Sequence, residues 1–359
     1  MSVTGARLGG FSGERHALAA MFRFALIALL LLLLPACTPL VVQRAGQPPL
    51  GFQGPHFEAN AVVSFDGARL GLTRWTAEGD PWAVIVAVHG MNDYANAFHL
   101  AGPHWAAAGV TTYAYDQRGF GRSPERGIWA GEDLLSEDLR TVVALARREH
   151  PQAIVAVVGE SMGGSVAAAA FASDRPPAAD RLVLLSPGVW GFRSQPLPNK
   201  TLLWLAANFT GGKIYTPPRW LTSKITPTDN RAELIAMGRD PLMIWGARSD
   251  TLFGLVRLMD HAAEDVGRDP VPTFYAYGAH DQIIPKKAAL RAARGLTPAD
   301  RSAYYAKGYH LLTRDREGAT VMDDVLAFIR DPSGPLPSGA PPIPGAPTPA
   351  SRVTRAAGL

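Results

Sequence analysis

Runs of consecutive apolar residues recur through the middle of the chain, and longer stretches with helical periodicity separate them. Such runs are typical of strands that are buried on both faces of a parallel sheet. They occupy residues 82–90, 109–116, 153–160, 181–187, 271–281 and 301–310. Two shorter β-type runs in residues 57–75 flank Asp66-Gly67, which is a strong signal for a hairpin turn. The pattern predicts one α/β domain over residues 57–330, with a mostly parallel, doubly wound sheet and an antiparallel hairpin at one edge.

The alternation of strands and helices is interrupted between residues 188 and 265. This segment has no clear strand pattern and is rich in Trp, Pro and Leu, so we interpret it as a helical cap insertion. Because open α/β sheets bind ligands beyond the carboxyl ends of their strands, we expect the insertion to lie above that edge. After the last helical stretch, residues 331–359 are rich in Pro, Gly and Ala, a composition that predicts a disordered tail.

The beginning of the chain has the order of a secretory signal: arginines, an apolar run over residues 24–36, and the single cysteine, Cys37. As a helix, residues 24–34 would span about 17 Å, less than the roughly 30 Å of a bilayer core. "LPAC", residues 34–37, resembles the lipobox of bacterial lipoproteins. The resemblance implies a signal peptide over residues 1–36, a lipidated Cys37 that tethers the exported protein to a bacterial membrane, and a linker over residues 37–56. Translation from Met21 would give a signal of ordinary length, and an uncleaved membrane anchor is the alternative.

The composition of the chain excludes some classes of protein function. The net charge is only +4, and no stripe of basic and aromatic residues is present, so we do not expect nucleic-acid binding. One cysteine excludes a disulfide within the chain and a cysteine-based metal cluster. An apolar fraction of 47% fits a globular protein with a large core.

A candidate nucleophile lies in "GESMG", residues 159–163. The motif G-x-S-x-G follows a predicted strand and precedes an alanine-rich helical stretch, which is the context of a nucleophile elbow. Glycines on either side of the serine allow the strand and the helix to approach closely. We therefore predict Ser161 as a nucleophile that needs a base to accept its proton.

The base and its acid are expected at the same edge of the sheet. His310 follows the last predicted strand, and Asp281 ends the strand before it, so the chain order is Ser161, Asp281, His310, as in α/β-hydrolases. His280 is a rival base and Asp250 a rival acid. An aspartate in this position would hold the imidazole in one tautomer and stabilise its charge.

The oxyanion that forms during acyl transfer requires two backbone donors. We assign one to the amide of Met162, directly after the nucleophile. The other is the amide of Met91, in the loop after the first long apolar run. His89 in the same loop is interpreted as a structural residue.

Taken together, several motifs resemble the monoacylglycerol lipase and lysophospholipase group of serine α/β-hydrolases. They run in order over about residues 60–330: "HGMNDYANAF", "YDQRGFGRSPERG", "GESMGG", "DPL", "YGAHDQIIP" and "YHLLTRD". The resemblance implies Ser161, Asp281 and His310 as the triad, and Met91 and Met162 as oxyanion donors. It also implies a cap that guides an acyl chain. Asn92 departs from the family's H-G-x-G loop, where a glycine is common.

The function predicted on this basis is hydrolysis of single-chain lipid esters through an acyl-enzyme, without a metal or an organic cofactor. An acyltransferase with the same triad, a short-chain carboxylesterase and a non-catalytic scaffold remain as alternatives. The substrate head group, the acyl chain length, which bacterial membrane holds the protein and the oligomeric state are not predicted.

Overall fold

A computed structural model describes residues 21, 23, 40–218, 220 and 224–348 of the chain. Almost all of the predicted signal peptide, together with Cys37, lies outside these residues. Within the described part, no helix combines the length and the apolar character needed to span a membrane.

A nine-stranded sheet forms the centre of the structure, with the spatial order β1-β2-β3-β5-β4-β6-β7-β10-β11. Its strands are β1 (His56–Phe57), β2 (Ala61–Val63), β3 (Arg69–Trp75), β4 (Ala83–Val88), β5 (Val110–Tyr115), β6 (Ile154–Glu160), β7 (Arg181–Leu185), β10 (Thr273–Gly278) and β11 (Arg301–Tyr305). The neighbouring strands β1, β2, β3 and β5 pair antiparallel. The remaining neighbours in the spatial order, from β5 through β4 to β11, all pair parallel. A mostly parallel sheet with an N-terminal hairpin is therefore confirmed.

Helices cover both faces of the sheet. They are α1 (Ala101–Ala107), α2 (Glu132–Glu149), α3 (Met162–Ala172), α4 (Leu197–Thr210), α5 (Arg231–Arg239), α6 (Ser249–Asp265), α7 (Lys286–Ala292) and α8 (Gly318–Arg330). Val86 of β4 packs in a core shared with α2 and α3, whereas its neighbours Ile85 and Ala87 pack in a second core shared with α1 and α8. Burial on both faces explains why the strand sequences are continuously apolar.

The insertion is more regular than the sequence suggested. It contains α4, α5 and two short antiparallel strands, β8 (Ile214–Tyr215) and β9 (Ala247–Arg248). Helix α6 packs against the cap helix α4 and also against α3 in the helical layer of the sheet, so it joins the insertion to the core. Val256, Met259 and Ala262, spaced by three residues, are the buried positions that mark α6 as a core helix.

The predicted disordered tail is wrong for residues 331–348. Ile343 is 1% exposed, and its amide donates to Ser302 Oγ at 3.1 Å. The Tyr304 amide donates to the Pro341 carbonyl at 2.8 Å. Proline-rich composition excludes a regular helix, but β11 is an edge strand with unpaired backbone groups, and the tail covers this edge.

The segment expected to link the anchor to the domain contacts the domain directly. The Gln43 amide donates to the Trp129 carbonyl, and Gln43 Nε2 donates to the Ile128 carbonyl, both at 2.8 Å. The Gly46 amide donates to Asp66 Oδ2 at 2.7 Å. The chain from residue 40 is thus held beside the loop that precedes α2.

Candidate active site

Ser161 occupies a sharp turn between β6 and α3. Its φ of +53° and ψ of −118° lie outside the conformations that a serine normally adopts. A Cβ on Gly163 would overlap the carbonyl oxygen of Val88, and a Cβ on Gly159 would lie 2.5 Å from the carbonyl oxygen of Gly163. The two motif glycines therefore permit the close approach of strand and helix that the turn requires.

Two backbone hydrogen bonds hold this turn at the end of β7. The Ser161 amide donates to the Leu185 carbonyl at 3.0 Å, and the Ser161 carbonyl accepts from the Gly188 amide at 2.8 Å. The Ser161 side chain makes no hydrogen bond that caps α3. Its hydroxyl is thus presented at the carboxyl edge of the sheet without serving as a helix cap.

His310 and Asp281 meet at the same edge. Their Nδ1 and Oδ2 atoms are 2.8 Å apart, and the side chains are 3% and 0% exposed. The other carboxylate oxygen, Oδ1, accepts the amides of Ile283 at 2.8 Å and Ile284 at 2.9 Å. Because the aspartate is fixed and binds Nδ1, the opposite ring nitrogen, Nε2, is left to exchange a proton.

Neither rival residue occupies this position. The exposed side chain of His280 stacks on Tyr309, with ring centroids 5.2 Å apart. Asp250 forms an ion pair with Arg248, at 2.9 Å and 2.6 Å. Among the described acids, the structure therefore brings Asp281 to His310.

The loop after β4 approaches the nucleophile closely. A Cβ on Gly90 would lie 3.1 Å from Ser161 Cβ, and Met91 is the next residue. Met162 begins α3, so its amide is one of the first-turn donors without an intrahelical acceptor. Asn92 has a φ of +66°, the left-handed conformation that a glycine commonly adopts and that asparagine tolerates. Asn92 therefore has a backbone conformation that a glycine at this position could also adopt.

His89 has a structural role in this loop. It is fully buried, and burial lowers its pKa. Its Nδ1 lies 2.7 Å from the Gly90 carbonyl, and its Nε2 accepts the Gln117 amide at 2.9 Å. A neutral ring with one donor and one acceptor satisfies both bonds. His89 thus connects the loop after β4 to the loop after β5.

Residues 79–317 match the family model Hydrolase_4, described as "Serine aminopeptidase, S33". The chain belongs to this family. A monoacylglycerol lipase from Mycolicibacterium smegmatis is 27% identical over 287 residues, which are 75% of this chain and 96% of the relative. A monoglyceride lipase from Mus musculus is 24% identical, over 80% of this chain and 95% of the relative.

Solved structures share the fold. A soluble variant of monoglyceride lipase from Saccharomyces cerevisiae, in complex with a substrate analogue, superposes with a TM-score of 0.63. It is 16% identical, and the match covers 80% of this chain and 98% of that one. The α/β-hydrolase fold and the resemblance to the monoacylglycerol lipase group are confirmed, and the protein is a serine hydrolase of the lipase and esterase type.

In this hydrolase a buried ionic cluster joins the loops around the site. Arg314 donates to Asp93 Oδ2 at 2.8 Å and to Glu160 Oε1 at 2.7 Å. Burial raises the pKa of the Glu160 carboxyl, and the Arg314 charge opposes this rise. Since Glu160 precedes Ser161, Asp93 lies in the loop after β4 and Arg314 follows His310, one guanidinium connects three parts of the candidate site. Our sequence reasoning missed this cluster, although each charge lies within four residues of a predicted site residue.

A cavity of about 370 Å³ opens beside Met91 in this hydrolase. Apolar side chains from the loops and from the insertion contribute to its lining, among them Phe120, Ile214, Ile244 and Trp245. The Ile244 amide donates to the Asn92 carbonyl at 3.0 Å, so the insertion contacts the loop after β4 directly. The insertion therefore lies above the carboxyl edge, as predicted.

Proposed function

We propose that the protein hydrolyses single-chain lipid esters of the monoacylglycerol type, with Ser161, His310 and Asp281 as a catalytic triad. The observation that carries the proposal is the buried 2.8 Å pair of His310 and Asp281 at the sheet edge where Ser161 is held in a strained turn. The similarity to monoacylglycerol lipases supports the choice of substrate.

The chemistry proceeds in two steps. Ser161 Oγ attacks the ester carbonyl while His310 Nε2 accepts the hydroxyl proton, and the Met91 and Met162 amides stabilise the oxyanion. The tetrahedral intermediate collapses to an acyl-enzyme, and His310 donates the proton to the departing alcohol. Water, deprotonated by His310, then releases the fatty acid and restores Ser161. Asp281 stabilises the imidazolium in both steps.

An exposed apolar surface on the insertion supports a lipid substrate. It includes Leu197 at 74%, Leu202 at 70%, Trp204 at 49%, Ile214 at 66% and Trp245 at 54% exposure. A soluble protein rarely exposes such a concentration of large apolar side chains without a binding role. Single-chain lipids and the aggregates they form are suitable partners for it.

We also propose that Cys37 is lipidated and that the protein works as an exported, membrane-tethered enzyme. The first continuously described residue, Leu40, is exposed and lines the same cavity as Phe253 of α6. Three residues span about 10 Å at most, so the acyl chains would be close to this part of the domain. Intact-mass measurement of the membrane-extracted protein tests this proposal. A chain that begins unmodified at Met1 or Met21 would overturn it.

A comparison of Ser161→Ala with the matched variant Ser173→Ala tests the enzymatic proposal, since both serines flank α3. We expect wild type and Ser173→Ala to hydrolyse monoacylglycerol and to react with a fluorophosphonate probe. Ser161→Ala should lose both properties, with turnover reduced by about three orders of magnitude or more. Undiminished turnover in Ser161→Ala refutes the triad. Hydrolysis of p-nitrophenyl butyrate without hydrolysis of monoacylglycerol refutes the lipid substrate alone.

A further inference from the structure

A short part of the insertion, residues 226–229, holds the loop that carries His310. The loop runs from the end of β11 to the start of α8 and contains only one 3₁₀ turn, Leu312–Arg314. Three hydrogen bonds join the two segments: the Leu311 amide to the Pro227 carbonyl at 2.9 Å, Thr228 Oγ1 to the Arg314 carbonyl at 3.1 Å, and the Arg316 amide to Asp229 Oδ1 at 2.8 Å.

The same segment also reaches the loop of the catalytic acid. The Thr226 amide donates to Gln282 Oε1 at 2.8 Å, and Gln282 directly follows Asp281. Thr228 is completely buried between the insertion and the histidine loop. Residues 226–229 therefore bridge the two loops whose side chains must meet for proton transfer.

The histidine loop has further constraints on its inner side. Asp315 Oδ2 accepts the Tyr309 amide at 2.7 Å, which closes the loop around His310. Arg314 connects it to Asp93 and Glu160, as described above. The inner contacts join the residues on either side of His310, and residues 226–229 add three contacts to the part of the loop from Leu311 to Arg316.

We propose that residues 226–229 are a positioning segment, which keeps His310 and Asp281 aligned with Ser161 and thereby couples the cap to the assembly of the triad. The inference rests on the triad proposed above. These residues act by holding the two loops in position, and they do not contact the ester. A displacement of about 1 Å at a catalytic group can cost about 100-fold in rate, so a small change in loop position is sufficient.

Paired substitutions separate positioning from folding. Asp229→Ala removes the acceptor for the Arg316 amide, whereas Asp229→Asn retains an oxygen there. Thr228→Val removes the buried hydroxyl, whereas Thr228→Ser retains it. The matched control is Asp260→Ala. Asp260 Oδ1 also accepts a backbone amide, that of Arg193, at 2.8 Å, and both residues are far along the chain from the two catalytic loops.

The readouts are kcat and KM for p-nitrophenyl butyrate, the rate of fluorophosphonate labelling and the thermal unfolding midpoint. For Asp229→Ala and Thr228→Val we expect kcat and the labelling rate to fall together by about 10- to 100-fold, with KM within twofold of wild type. Asp229→Asn, Thr228→Ser and Asp260→Ala should keep at least half of the wild-type kcat.

Three results would overturn the positioning role. The first is an unchanged kcat in both Asp229→Ala and Thr228→Val. The second is a raised KM with unchanged kcat, which would make the segment part of substrate binding. The third is a loss of kcat that occurs in Asp229→Asn as well as in Asp229→Ala and is accompanied by a lowered unfolding midpoint. This result would make the role of the segment purely structural. If wild type itself does not react with the probe, the proposed enzymatic function fails instead.

Discussion

Replacement of Arg314 by methionine tests the buried ionic cluster behind the nucleophile. Methionine has a similar length but no charge, so the substitution leaves the Asp93 and Glu160 carboxylates without their guanidinium. All three side chains are nearly inaccessible, at 3%, 7% and 1% exposure. Water therefore does not replace the lost partner, and the energetic cost arises inside the protein.

The magnitude follows from this burial. Removal of one partner from a buried ion pair typically costs about 3–5 kcal/mol, because it leaves an uncompensated charge. Such a loss is a large part of the roughly 5–15 kcal/mol by which a domain is stable. With a denaturant slope of about 3 kcal/mol per molar urea, the unfolding midpoint of Arg314→Met should fall by about 1 M or more.

The loss should also depend on pH. Burial already raises the pKa of Glu160, and without Arg314 this pKa should rise further. The folded variant then retains a proton at pH values where the unfolded chain has released it, so its stability decreases as pH rises. For one carboxyl the slope reaches about 1.4 kcal/mol per pH unit. We expect the difference from wild type to be small near pH 5 and largest above pH 8.

Urea unfolding followed by circular dichroism between pH 5 and pH 8.5 measures this difference. The control is the double variant Arg314→Met with Glu160→Gln, which removes one buried carboxylate and should recover stability with a flatter pH dependence. Two results would refute the assignment of the lost stability to unpaired buried carboxylates. One is that Arg314→Met is as stable as wild type at pH 8, and the other is that its loss of unfolding free energy is equal at every pH.

Three further outcomes are expected. Asp281→Asn should lower kcat about 10⁴-fold with little change in unfolding midpoint, measured by ester hydrolysis, because an amide does not hold the required imidazole tautomer. Gly163→Ala should prevent or strongly weaken folding in urea titrations because its Cβ overlaps the Val88 carbonyl, whereas Gly238→Ala, with nothing within 4 Å, should be neutral or stabilising by up to about 1 kcal/mol. Ile343→Ala should cost about 2–4 kcal/mol in the same titrations, since the side chain is 1% exposed.

Each of these outcomes has a clear opposite. Full activity in Asp281→Asn would show that another residue supports the imidazole. Equal stability of the two alanine variants at glycine positions would remove the steric reason for the elbow motif. An unchanged unfolding midpoint in Ile343→Ala would mean that the tail packs on β11 without stabilising it.

The strand pattern and the elbow motif could be recognised without coordinates because both depend on neighbours in the chain. An apolar run such as that of β4 reflects burial on both faces of the sheet. The spacing of Gly159, Ser161 and Gly163 reflects sterics within one turn. The meeting of His310 and Asp281 at one edge of the sheet could also be predicted, since strands of a parallel sheet end at a common edge.

Other features depended on contacts between distant segments. His310 is distinguished from His280 by its 2.8 Å contact with Asp281, although both histidines lie near the end of a predicted strand. The Arg314 cluster unites residues up to 221 positions apart, and nothing local marks them as partners. The order of residues 331–348 comes from an edge strand elsewhere in the chain, against the preference of their own composition.

The sequence by itself thus determined which segments become strands, helices and the nucleophilic turn, because these follow from periodicity and from steric limits among adjacent residues. Only the tertiary structure decided which charges pair in the interior, how α6 joins the cap to the core and how residues 226–229 contact the histidine loop. Such contacts form between groups that folding brings together, and their energy depends on a burial that no single segment possesses alone.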